Sequence, residues 1–134
     1  YIILLSNNII YQAEYQKVGR TMSRPVLSTH VLDTSSGNPA VGLSVQLYKQ
    51  KDDAWLLWHG TMTSTDGRGR FPFTEDSMAV GTYKLRFDVG DYYTRLNKDT
   101  LYPYIEIVFK TETDQHYHIP LLLSPYGYTT YRGS

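Results

Sequence analysis

In Leu27-Ser28-Thr29-His30-Val31-Leu32-Asp33, the side chains of Leu27, Thr29 and Val31 share one face of an extended chain, while Ser28, His30 and Leu32 share the other. That period of two belongs to a β-strand. The run stops at Asp33 to Pro39, where Ser, Gly, Asn and Pro favour a turn. The same alternation returns along the chain. Leu43, Val45 and Leu47 against Ser44, Gln46 and Tyr48 predict a second strand, and Trp55 to Thr63 a third that forms a hairpin with it. Phe71-Pro72-Phe73 predicts a short fourth, confined by its proline to an edge or a bulge. Tyr83 to Phe87, Tyr104 to Phe109 and His116 to Leu123 follow, and the turn Ser124-Pro125-Tyr126-Gly127 returns Tyr128 to Tyr131 along the last of these. One short helix is predicted over Tyr92 to Asn97, because Asp91 can accept a hydrogen bond from the N–H of Tyr93 or Thr94. Eight short, half-buried strands predict an all-β, two-sheet sandwich, since each sheet must hide an apolar face against another.

Composition agrees with that architecture. The 134 residues, 41% hydrophobic and 19% charged, suffice for one domain with a core. Thirteen tyrosines and six prolines favour strands and turns over helices. Thirteen Lys plus Arg balance thirteen Asp plus Glu, so no electrostatic footprint points to nucleic acid or to an anionic membrane as a partner. With no cysteine, disulfides, thiolate zinc sites, iron–sulfur clusters and a cysteine nucleophile are all excluded. Chemistry must then come from oxygen, imidazole or other nitrogen groups.

Residues 1–22 read as an amino-terminal extension and residues 23–134 as the domain, with Met22 a candidate start before Ser23-Arg24-Pro25. The apolar run Ile2 to Leu5 breaks at Ser6-Asn7-Asn8, well short of the ~18 residues of a membrane span. It also lacks the preceding basic residue and following small-residue site of a secretory leader. The extension is expected to be disordered or added to the domain.

Histidine is the first place to look for chemistry, because its ordinary pKa lies near neutrality. His116 and His118 are two apart on a predicted strand and leave the same face, opposite Tyr117, Ile119, Leu121 and Leu123. That pattern fits a general acid/base site, a pair of metal ligands or two solvated side chains. His30 and His59 each carry less signal alone. Arg68 sits in Thr65-Asp66-Gly67-Arg68-Gly69, a turn whose guanidinium could grip a planar anion or carbonyl, although such turns are also common solvated loops.

Taken together, Leu27 to Asp33, Asp66-Gly67-Arg68, His116-Tyr117-His118-Ile119-Pro120-Leu121-Leu122-Leu123-Ser124-Pro125-Tyr126 and Tyr131-Arg132-Gly133-Ser134 resemble the transthyretin-related 5-hydroxyisourate hydrolases. The resemblance covers essentially everything after the extension. Its most specific parts are the His-Tyr-His run and the final tetrapeptide, which the hormone-carrying transthyretins lack. Arg70 and Phe71-Pro72-Phe73 depart from the Cys-Pro that many members have after the arginine.

The resemblance implies a transthyretin-like sandwich that pairs edge to edge into dimers and stacks into a homotetramer with active sites in a central channel. It implies a small-molecule substrate, the oxidised purine 5-hydroxyisourate, and no metal or organic cofactor. Carried onto this chain, the catalytic positions are His30, Arg68 and His118, with Tyr131 and Ser134 lining the same pocket. A peroxisomal or cytoplasmic location is likewise implied, with no clear signal in the sequence. Two other readings stay open: a carrier of a small aromatic, hormone-like ligand, and a zinc-binding or purely structural sandwich that would need His30 beside His116 and His118.

Overall fold

The computed structural model describes residues 26–73 and 78–134. The extension over residues 1–22 and the candidate start at Met22 lie outside the described residues. In chain order the strands are β1 (Leu27–Asp33), β2 (Asn38–Pro39), β3 (Ser44–Lys51), β4 (Ala54–Met62) and β5 (Arg68–Arg70). Next come β6 (Thr82–Phe87), the helix α1 (Val89–Arg95), β7 (Ile105–Lys110), β8 (Tyr117–Ser124) and β9 (Gly127–Thr130). One sheet runs β2-β1-β8-β9 with β5 also paired to β1, and the other runs β4-β3-β6-β7. The described residues thus form the expected two-sheet sandwich with one short helix.

The period-two pattern explains the layers. Along β1 every odd residue from Leu27 to Asp33 is buried and every even one is half-buried. Leu27, Val31, Leu121 and Leu123 from the first sheet meet Val45, Leu47, Leu85 and Phe87 from the second in one core. Each fully buried side chain of this size stabilises the fold by about 1.5–3 kcal/mol before the loss of chain entropy is counted. The half-buried outer face of the first sheet is left for chemistry.

Three elements depart from expectation. Phe71-Pro72-Phe73 is not a strand; the ladder lies just before it, at Arg68–Arg70, where Pro72 removes no hydrogen bond. The helix spans Val89–Arg95 instead of Tyr92 to Asn97, because Val89, Tyr92 and Tyr93 recur at helical spacing and are the side chains it buries. Asp91 therefore sits inside the first turn, pairing with Arg95 at 3.6 Å rather than capping. Asn97, at φ 54°, closes the helix in the left-handed region. The two-residue β2 raises the number of strands among the described residues above the eight expected.

Candidate active site

Two neighbouring parallel strands set the site. In the β1–β8 ladder Ser28 lies opposite His118 and His30 opposite Pro120. On the other side of β1, antiparallel β5 places Arg68 opposite His30. Three residues distant in sequence thus come onto the outer face of one sheet. His118 Nδ1 lies 2.8 Å from Ser28 Oγ, which fixes the orientation of the ring. His30 Nε2 donates to the Asp66 carbonyl oxygen at 2.9 Å.

Arg68 is held by the turn that precedes it. Gly67 has φ 78°, and a Cβ there would lie 2.5 Å from the Val31 carbonyl oxygen, so both conformation and space demand glycine. The Val31 N–H donates to the Gly67 carbonyl at 2.9 Å, docking the turn onto β1. The Asp66 carboxylate accepts from the Arg68 N–H at 3.2 Å and pairs with Arg68 Nε at 3.3 Å.

The segment after β9 closes the site. The β8–β9 ladder ends at Leu121 and Thr130 and resumes, in the same register, as a single bridge between His118 and Gly133. The gap falls at Ile119–Pro120, where proline has no N–H to offer. Thr130 Oγ1 donates instead to the Pro120 carbonyl at 2.8 Å. Beyond the gap the Gly133 N–H donates to the His118 carbonyl at 2.7 Å, and a Cβ on Gly133 would lie 2.5 Å from His118 Cδ2. The Arg132 guanidinium stacks 4.8 Å from the Tyr117 ring centre and donates to Gln115 Oε1 at 3.0 Å.

These groups surround a cavity of about 580 Å³, lined among others by Ser28, Arg68, His116, His118, Gly133 and Ser134. Burial holds the His118 imidazole below its ordinary value of 6.5, and Arg68 and then His30 push it the same way electrostatically, against a hydrogen bond that the ring donates to the Ser28 backbone. A neutral imidazole is thus favoured beside a permanent cation, which suits a base facing an electrophile clamp.

His118, Arg68 and Ser134 share the cavity, while His30 stands beside it, opposite Arg68 and coupled electrostatically to His118. Tyr131 does not line this cavity; it borders an adjoining hollow of about 300 Å³ with Ile107, Phe109 and Tyr117. His59 is elsewhere, edge-on to Phe71 and Phe73 at 5.7 and 5.8 Å. Among the described residues no group of three or more His, Asp or Glu side chains is arranged to hold a metal ion. Three residues escaped the sequence as candidates: Ser28, Asp66 and Gly133. Ser28 shares a strand face with His30, and Asp66 precedes Arg68 by two, but their partners emerge only from the fold.

Residues 27–133 match the model of the HIUase/Transthyretin family. A mouse 5-hydroxyisourate hydrolase is 45% identical over 117 residues, covering 85% of this chain and 98% of its own. A second such enzyme, 5-hydroxyisourate hydrolase 2 of Rhizobium meliloti, is 46% identical over 114 residues, or 81% and 95% of the two chains. Among solved structures, the Klebsiella pneumoniae 5-hydroxyisourate hydrolase superposes with a TM-score of 0.70 at 31% identity, over 81% of this chain and 98% of that one. Sea bream transthyretin in complex with thyroxine superposes with a TM-score of 0.75 at 28% identity, over 80% and 93%.

Proposed function

Since the chain belongs to the HIUase/Transthyretin family, we propose that it is a 5-hydroxyisourate hydrolase that opens the six-membered ring of its substrate to 2-oxo-4-hydroxy-4-carboxy-5-ureidoimidazoline. The observation that carries this reading is the meeting of His118 and Arg68 at one polar cavity. With His118 Nδ1 engaged by Ser28, Nε2 is the nitrogen left for water, and it is basic when the Ser28 oxygen accepts the Nδ1 proton. Water gives its proton to that nitrogen as its oxygen adds to the ring carbonyl carbon. Negative charge then collects on the former carbonyl oxygen, where the fixed Arg68 fork balances it. Collapse breaks the carbon–nitrogen bond, the proton passes to the departing nitrogen, and a carboxylate remains.

His30 orients water or substrate and relays protons, and Ser134 offers its hydroxyl to the polar heterocycle. Contact between Tyr131 and substrate has only the family resemblance behind it, because that side chain borders the adjoining hollow. A homotetramer of edge-paired dimers would cover the outer face that bears the site. Among the described residues β4 and β7 bound one sheet and β9 bounds one side of the other, so each offers an edge for such pairing.

The likeness to sea bream transthyretin supports a second reading, a carrier of a small aromatic ligand. Such a ligand asks for apolar walls, whereas imidazole, guanidinium and hydroxyl groups line this cavity. The deciding assay forms 5-hydroxyisourate from urate with urate oxidase and follows its ultraviolet absorbance. Faster decay with the protein than without it is expected; identical decay would overturn the hydrolase reading.

A further inference from the structure

We propose that Asp66 is a positioning residue that sets both His30 and Arg68 for the reaction, an inference that rests on the hydrolase reading above. Its backbone and its side chain act on different partners. The carbonyl oxygen lies 2.9 Å from His30 Nε2. A carbonyl can only accept, so Nε2 carries the hydrogen and the neutral ring keeps its lone pair on Nδ1. One backbone atom thereby selects the tautomer of His30.

The carboxylate governs Arg68. Its Oδ2 lies 3.3 Å from Nε, the inner nitrogen of the guanidinium, and anchoring that atom fixes the plane of the terminal NH2 groups. Its Oδ1 accepts from the Arg68 N–H and from the Ser64 hydroxyl, while Ser64 N–H donates to the Arg68 carbonyl at 3.0 Å. The turn is therefore closed on itself by the same carboxylate that holds the guanidinium. With Gly67 docked on Val31, one residue past His30, neither group can shift without the other. The Ser64 hydrogen bond and the Arg68 charge also hold the Asp66 carboxyl below its ordinary value, keeping it ionised at neutral pH.

Exposure separates this role from a structural one. The Arg68 and Asp66 side chains are 44% and 57% exposed, and ion pairs that wet contribute little to stability. Losing the pair should leave the fold in place and disturb the chemistry. Asp66→Asn retains an oxygen able to accept from Arg68 N–H and Ser64 but lacks the charge that orients Nε. Asp66→Ala removes both functions.

The test measures kcat, KM, thermal midpoint and the ring-nitrogen 15N shifts of His30 in the full chain. Asp66→Asn is expected to keep the midpoint within a few degrees and the Nε2–H tautomer, while kcat falls about tenfold, the scale of a misplaced catalytic group. Asp66→Ala is expected to lower kcat on the order of 100-fold and, because its backbone carbonyl remains, to keep the Nε2–H tautomer of His30. Parental kcat in both variants, a collapsed midpoint in Asp66→Asn, or an Nδ1–H tautomer of His30 in the parent protein overturns the proposal. An inactive parent protein would instead sink the hydrolase reading, and the His30 tautomer of the parent, which needs no substrate to measure, would still decide whether the Asp66 carbonyl sets that ring.

Discussion

At the scale of single residues the site depends on which nitrogen of each imidazole is available. His118→Ala is expected to lower kcat by about 100-fold or more, as loss of a general base does, with an unchanged circular dichroism spectrum. Because the His118 imidazole must be neutral to act and is held below 6.5, the acid limb of kcat/KM should have its midpoint below that value. Burial is the largest cause and Arg68 the next, so Arg68→Met should move the limb upward without carrying it past 6.5. An acid limb at or above 6.5 in the parent protein would remove His118 from the role. Gly133→Ala puts a methyl group where the Cδ2 of His118 now lies 2.5 Å away, so the ring or the last segment must move. A drop in kcat of at least tenfold is expected, the scale of a small misplacement; full activity would show that the segment yields freely. The outward aim of His30 and of His118 was legible in the alternation of their strands. Their fixing partners were not, because Ser28 and His118 lie 90 residues apart and only the β1–β8 register joins them.

Among elements, the sequence read best where apolar alternation was long and worst where three residues had to decide. β1 and β8 follow their patterns, whereas β5 is so short that aromatic Phe71 and Phe73 drew the expectation away from Arg68–Arg70. The consequence reaches the site, since moving Arg68 from a free turn onto a strand gives it a fixed partner in His30. The helix was placed too late because Asp91 drew the expected cap, while Val89, three residues before Tyr92, is the first buried residue of α1. Phe71 and Phe73 have their own role, cradling the His59 ring from β4. Burial lowers the pKa of His59 from 6.5, so the folded chain binds fewer protons than the unfolded one just below that pH. The stability this arrangement contributes is therefore complete above 6.5 and is lost as pH falls through the lower, folded value. His118 adds a slope of the same sign. Urea melts across that range should show stability falling with acidity, and His59→Phe should flatten the curve; an unaltered slope would show that His59 titrates normally.

For the whole molecule, the sandwich was legible in the period-two alternation, and the family in the His-Tyr-His run, the Asp-Gly-Arg turn and the final tetrapeptide, from which His118, Arg68 and Ser134 meet at one cavity. What sequence leaves open is the assembly, since sheet edges are defined by pairing across the chain. Light scattering on the purified protein is expected to give a mass about four times that of one chain. A monomer with full activity would show that the outer face needs no second copy. The parallel pairing of β1 with β8 also bears on synthesis. His30 is made before the strands of the second sheet, and its partner imidazole only after them, with β8. Such distant closure is a late step in folding. The outer face therefore gains its second imidazole only when β8 docks on β1, and a chain truncated before Tyr117 is expected to carry His30 and Arg68 without activity.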